Sequence, residues 1–264
     1  STDGIAVSPW KPFIGADKAV IIDTKGQRHE VECLLGANEI YDIVKFQVSG
    51  KTAAASLATT VSAGDEAWVT PMPKSGNAER ADVSSVEKFM DKYNYTILKS
   101  SATDKLNGAP VFNTKGQVIG LFNSAGESQS STDANYAKDF IVKGLSQNDI
   151  TLRQSDIRIG LPNTIEEAVI ALMLSSEKPA NIHEAVVNKF ITKFPQANDG
   201  YYALANLQIA KGEVANADKT MQTAISKVAA KDEAHYNYAR LVYRNALIQE
   251  FAEKTKSVGW TLDK

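Results

Sequence analysis

The sequence predicts two domains of different class, an all-β barrel or sandwich followed by an all-α helical array. Residues 1 to about 146 alternate apolar and polar at period two between turn signals, whereas residues 163–254 repeat at helical period. Within the second half Ala171, Ala205 and Ala239 recur every 34 residues, a spacing typical of stacked helix pairs.

In the first half, "KAVIID" (18–23), "HEVECLLG" (29–36), "YDIVKFQV" (41–48), "EAWVTPM" (66–72), "YTILKS" (95–100), "APVFN" (109–113) and "QVIGLFN" (117–123) read as strands. Between them "DTKGQ", "SGK", "SAGD" and "NTKGQ" supply Gly and Asn where positive φ is needed. One stretch, "SVEKFMDKY" (85–93), is expected to be helical. Many short strands with almost no intervening helix argue for a barrel or sandwich.

Residues 1–150 are thus expected to form the β domain, 151–162 ("TLRQSDIRIGLP") a linker, and 163–264 the helical domain. Asn163 and Thr164 are good helix caps, with Glu166 and Glu167 in the first turn. Helices are expected over 164–177, 181–193, 198–211, 214–228 and 232–254, jointed at Lys178-Pro179, Pro195, Gly212 and Lys231-Asp232. The middle unit, "YYALANLQIAKGEVANADKTMQTAISKV" (201–228), resembles a tetratricopeptide repeat over its whole length. Leu204 and Ala205 fall where that family places a large-small pair, Gly212 at the inter-helix turn, and Ala217 and Ala224 on the second helix. The first unit departs from the pattern with Lys178 and His183, and the third runs on into a longer terminal helix.

Composition narrows the function classes. Of 264 residues 43% are hydrophobic, and 29 basic side chains stand against 31 acidic ones. No basic surplus points to nucleic acid, and no apolar run is long enough to span a membrane. The single cysteine, Cys33, forms no internal disulfide and reads as a buried small hydrophobe. No His/Cys/Asp cluster has metal-ligand spacing and no phosphate-binding loop appears, so neither metal nor cofactor is expected. The opening "STDGIAVSPW" carries no charged leader or hydrophobic signal core.

The stretch "DKLNGAPVFNTKGQVIGLF" (104–122) resembles the strand-turn-strand around the nucleophile of trypsin-like serine proteases of the bacterial high-temperature-requirement type. "YDIVKFQV" is similar to the strand bearing their orienting aspartate, "VSAGDEAWVTPMP" to the opening of their second barrel, and "KPFIGADKAVI" to the run that starts with their general-base histidine. The resemblance covers roughly residues 4–146 and implies a double β-barrel. It puts Asn107 at the nucleophile, Asp42 at the orienting carboxylate and Lys11 at the base. An amide cannot form an acyl-enzyme, and a lysine ammonium is not a base for it. The triad is degenerate, and no catalytic residue is expected. Asp42 reads as a carboxylate that caps a backbone amide or pairs with Lys11. Of the histidines, His29 is expected to face solvent, and His183 and His235 to be packing residues.

The reading that follows is a non-catalytic pseudoprotease that binds protein or peptide. By resemblance the strand after the nucleophile position would pair with an extended peptide, through Leu121, Phe122 and Asn123. The repeat half would line its concave face with Tyr202, Asn206, Tyr236, Arg240 and Tyr243. The alternatives are a serine endopeptidase with an unorthodox site, or a structural module that forms homo-oligomers through the terminal helix, "YARLVYRNALIQEF" (238–251). The protease resemblance also implies an exported bacterial protein, periplasmic or extracellular.

Overall fold

The computed structural model describes residues 1–71, 76–247 and 252–261. Two compact units divide it: one of Ser1–Val142 with Asn148–Gly160, the other of Lys143–Gln147 with Leu161–Lys264.

Among the described residues the first unit has ten strands. β1 (Ile5–Ser8), β2 (Val20–Ile22), β3 (Arg28–Asn38) and β4 (Ile43–Val48) form an antiparallel sheet in the order β1-β4-β3-β2. β5 (Ala67–Val69), β6 (Glu79–Phe89), β7 (Tyr93–Ser100), β8 (Pro110–Asn113), β9 (Val118–Ala125) and β10 (Ser128–Asp133) close a barrel in the order β10-β7-β6-β5-β8-β9. The expected double barrel is therefore a single closed barrel beside an open four-stranded sheet. The first sheet stays open because β2 is only three residues long and pairs with β3 alone. The end of the "YDIVKFQV" strand prediction is upheld, while Met72, the end of another, lies outside the described residues.

Local chemistry explains the turns. At both "TKGQ" hairpins the residue before the turn accepts two backbone N–H groups on one side-chain oxygen. Asp23 takes Lys25 and Gln27 at 2.8 Å each, and Asn113 takes Lys115 and Gln117 at 3.0 Å each. Gly26 and Gly116 supply the positive φ, +80° and +70°.

Residues 85–93, expected to be helical, instead complete β6 and turn into β7. Glu87 and Lys88 face solvent while Phe89 is buried. Met90 and Asp91, with φ of 50° and 55°, lead the three-residue turn between Phe89 and Tyr93, in which Lys92 N–H donates to the Phe89 carbonyl at 3.3 Å. Residues 151–160, inside the segment read as linker, pack into the first unit. Leu152, Ile157 and Ile159 join the core of Trp10, Phe13, Leu34 and Phe46, and Leu34 bonds in backbone register with Arg158 and Gly160 at 2.9 and 2.8 Å.

The second unit is helical: α1 (Ile165–Ser175), α2 (Ala180–Lys193), α3 (Asn198–Ala210), α4 (Val214–Lys227), α5 (Lys231–Ala246) and α6 (Ala252–Ser257). Each helix packs on the next, and α4 also touches α6. Ala171, Ala205, Ala217 and Ala224 are fully buried, so the small residues at these positions let α1 to α4 approach closely. Ala239 does not follow and is exposed. The buried face of α5 comes one residue early, with Ala234 and Val242 each 33 residues beyond the buried Tyr201 and Ile209. Tyr238, where Ala205 would set a small side chain, is too large for that place. It donates to the Asp218 carboxylate on α4, which also accepts from Trp260 Nε1 at 2.7 Å and Gln222 Nε2 at 2.7 Å.

The expected fifth helix through residue 254 is two helices, α5 ending at Ala246 and α6 folding back on α4; residues 248–251 lie outside the described residues. Trp260, 1% exposed, belongs to one core with Met221 and Leu241. Trp260→Ala should cost about 3–5 kcal/mol in urea unfolding, whereas Tyr243→Ala, at an exposed position of α5, should stay within about 0.5 kcal/mol of the parent.

Candidate functional site

Lys11, Asp42 and Asn107, the three positions singled out by the sequence resemblance, are all engaged in main-chain bonding. Lys11 opens a 3-10 turn, Lys11–Phe13, directly after Trp10. Its backbone N–H donates to Asp42 Oδ1 at 2.9 Å, and its ammonium lies 3.7 Å from Asp42 Oδ2. The ammonium is 73% exposed, so the pair contributes little. Asp42, at φ 46°, caps that turn from the loop between β3 and β4.

Asn107 sits at the end of the 3-10 turn Asp104–Leu106, just before β8. Its Oδ1 accepts the Ser124 backbone N–H at 2.6 Å and its Nδ2 donates to the Ser124 carbonyl at 3.4 Å. One side-chain amide thus reproduces a ladder rung. The ladder continues through Gly108 N–H to the Phe122 carbonyl, 2.8 Å, and Phe122 N–H to the Ala109 carbonyl, 2.8 Å. Gly108 has φ +85°, and a Cβ there would stand 2.5 Å from Pro9 Cγ. Pro9, between β1 and the Lys11 turn, therefore packs where any larger residue after Asn107 would project.

This arrangement bears directly on the peptide-binding expectation at Leu121, Phe122 and Asn123. β9 is paired to β10 along Gly120–Ala125 and, on its other edge, to β8, Gly108, Ala109 and the Asn107 amide. No edge is left for strand addition there. Phe122, 1% exposed, belongs to the barrel core, Leu121 packs in an aromatic cluster with Phe89, Tyr93 and Tyr136, and Asn123 pairs with Ser130. The sequence hides this because β10, "SQSSTD", has no apolar residue to mark it. Ser130, Ser131 and Thr132 are nonetheless buried.

Of the five repeat residues, two are packing groups. Tyr202 is half-buried among Ala205, Val214 and Ala217, and Asn206 Nδ2 donates to the Tyr202 carbonyl at 2.7 Å. Tyr236, Arg240 and Tyr243 lie exposed along one face of α5, the two tyrosines at 66% and 62%. Apart from them, a groove of about 350 Å³ lies between α2, α3 and α4, floored by Ile191, Tyr201 and Leu204 and edged by Thr192, Lys219 and Thr223.

Two histidine contacts lie outside the triad positions. Ser175 Oγ is 2.8 Å from His183 Nδ1, yet Ser175 is fully buried and its single O–H lies 2.6 Å from the Leu172 carbonyl. The hydroxyl proton goes to that carbonyl and His183 donates to the oxygen, so this is a clasp between α1 and α2 that no substrate reaches. Burial pushes the His183 pKa down. His29, expected to face solvent, is 9% exposed on β3, with Nδ1 2.9 Å from the Ser49 carbonyl and Nε2 3.4 Å from Asp23 Oδ2. Two acceptors favour the doubly protonated ring. The Ser49 carbonyl first, then Asp23, raise its pKa above 6.5, while Asp23 is held low by the Gln27 N–H and by His29. Among the described residues no three His, Cys, Asp or Glu side chains gather as a metal site, and no helix is long and apolar enough to cross a membrane.

No protein-family model matches this chain, and no curated protein matches it. Among solved structures, the HtrA-type protease AlgW with decapeptide superposes on 52% of this chain and 47% of its own, at 14% identity and a TM-score of 0.45. The chain thus spans about half the length of that protein. At that level of similarity the architecture rests on this chain's own ladders: barrel-like sheets followed by helices.

Two outcomes follow from these geometries. Asn107→Ala leaves the Ser124 N–H and carbonyl unpaired and should cost about 1–3 kcal/mol in chemical unfolding, while Asn107→Ser should leave casein uncut. The His29 contribution to stability should be complete below pH 6.5 and fade as pH climbs through its raised pKa. Asp23, its pKa lowered, contributes above pH 3.8 and loses that as pH falls. The thermal midpoint of the parent should therefore exceed that of His29→Asn at pH 5.5 by more than at pH 9.

Proposed function

We propose that this chain is a non-catalytic protein that binds polypeptide. Its β unit keeps a trypsin-like protease scaffold without protease chemistry, and its helical unit is a tetratricopeptide-type array whose last pair is displaced. The observation that carries the reading is the Asn107 clasp. Its oxygen and nitrogen both bond to Ser124, and neither Lys11 nor Asp42 supplies a base. Acyl transfer needs a hydroxyl or thiol nucleophile beside such a base; the other serine-histidine contact, Ser175 with His183, is sealed from solvent.

Binding falls to the helical unit. Tyr236, Arg240 and Tyr243 stand at i, i+4 and i+7 on α5, exposed and clear of the buried face. Tyrosine and arginine are the side chains that most often carry interface energy, and a stripe of three fits an extended or helical protein segment. The near-neutral charge balance, 29 basic to 31 acidic, disfavours nucleic acid as partner, and no cofactor is invoked. By the same protease resemblance, the protein is an exported bacterial one, periplasmic or extracellular.

Titration of the full chain with an immobilised peptide library should give saturable binding that Tyr236→Ala and Tyr243→Ala each weaken by at least about tenfold. A fluorophosphonate probe should leave the protein unlabelled. Labelling that disappears when one serine is changed would replace this reading with a peptidase.

A further inference from the structure

The outer edge of the open sheet is bare, and its chemistry is self-complementary. β2 has β3 on one side only. The Ala19 carbonyl accepts Val31 N–H at 2.9 Å and Asp23 N–H reaches the Gln27 carbonyl at 3.0 Å, so the odd-numbered residues face β3. In an antiparallel ladder the even ones then turn their N–H and C=O groups outward. Those are the groups of Val20 and Ile22, and none has a partner among the described residues. Both side chains point to solvent on one face, 38% and 54% exposed. β1, the opposite edge, has no exposed side chain. Two exposed β-branched residues beside free backbone groups are what edge strands ordinarily avoid.

We propose that β2 is the contact strand of a two-fold homodimer, pairing antiparallel with β2 of a second copy. With Ile21 on the axis, Val20 of each copy lies opposite Ile22 of the other. All four outward N–H groups then meet outward carbonyls, and the four exposed apolar side chains form one patch on the solvent face. Lys18 falls opposite Thr24, so no like charges meet. The second copy is favoured over a free peptide by the shortness of the strand. A peptide would have to be ordered for a three-residue ladder, whereas the β2 of a second copy is already held extended by its own β3. So short a contact makes a weak dimer that forms at high concentration. The proposal uses no residue of the α5 stripe and is independent of the peptide-binding reading.

Sedimentation of the full chain from micromolar to millimolar concentration should show a monomer–dimer equilibrium. Val20→Pro removes an outward N–H without touching the β2–β3 ladder; it should weaken the dimer by about tenfold or more and leave the thermal midpoint unchanged. Opposed residues in such a pair stand about 5.5 Å apart at Cα, within disulfide reach. A mixture of Val20→Cys and Ile22→Cys proteins should therefore cross-link under oxidation, while either alone should not. A monomer at every concentration would overturn the proposal. So would a dimer that survives Val20→Pro, or β2 amides that gain exchange protection only when an extended peptide is added.

Discussion

A primary amide can both accept and donate in one plane, as a peptide group does, and this property of Asn107 governs the β unit. By bonding both main-chain groups of Ser124, at 2.6 and 3.4 Å, it prolongs the ladder between β8 and β9 beyond the point where the chain turns away. A serine hydroxyl carries both roles on a single oxygen and lacks the two separate atoms, Oδ1 and Nδ2, that match the N–H and C=O of that rung. The same position cannot serve as both ladder rung and nucleophile. Gly108 follows from it: at φ +85°, under Pro9, only a residue without Cβ keeps its N–H on the Phe122 carbonyl.

With that edge of β9 covered, the barrel is continuous from β10 through β9 to β8, and an incoming strand finds both edges of β9 already paired from Gly120 to Ser124. The helical unit shows the converse arrangement. Tyr238 in place of a small residue displaces α5 by one position. The displacement is anchored on Asp218, which collects donors from Tyr238, Gln222 and Trp260. The turn of α5 that results leaves Tyr236, Arg240 and Tyr243 outside the packing.

Strands with alternating apolar residues and glycine-bearing turns were legible from the sequence, because burial of one face imposes period two. The two "TKGQ" hairpins are the clearest case, each built on the side chain that precedes it. The long β6–β7 hairpin was not legible, because the charged run at Glu87 and Lys88 imitates a helix and its turn residues, Met90 and Asp91, are unusual at positive φ. β10 was hidden because its buried positions are hydroxyls. Asn107, Asp42 and Lys11 were singled out by resemblance, and the contact of Asp42 with Lys11 was expected; the partner of Asn107 was not, since Ser124 is 17 residues away in sequence and carries no signal of its own. The 34-residue spacing placed Ala171 and Ala205 in the core and failed at Ala239, where periodicity could not register the bulk of Tyr238.

The polar interior of the β unit makes the same point about where binding can occur. Asp133, 4% exposed, accepts from the Asn135 N–H at 2.8 Å, the Asn135 side chain at 2.9 Å and the Asn94 N–H at 3.2 Å. Lys88 in turn donates to Asn94 at 2.6 Å, and Lys138 to Asn135 at 2.7 Å. A ligand entering such a network exchanges one hydrogen bond for another, and the net gain from that exchange is small. An exposed tyrosine face instead gains the apolar area it removes from water, on the order of 25 cal/mol per Å². By that difference the exposed α5 face has more free energy to gain from a covering surface than the polar network of the β unit has.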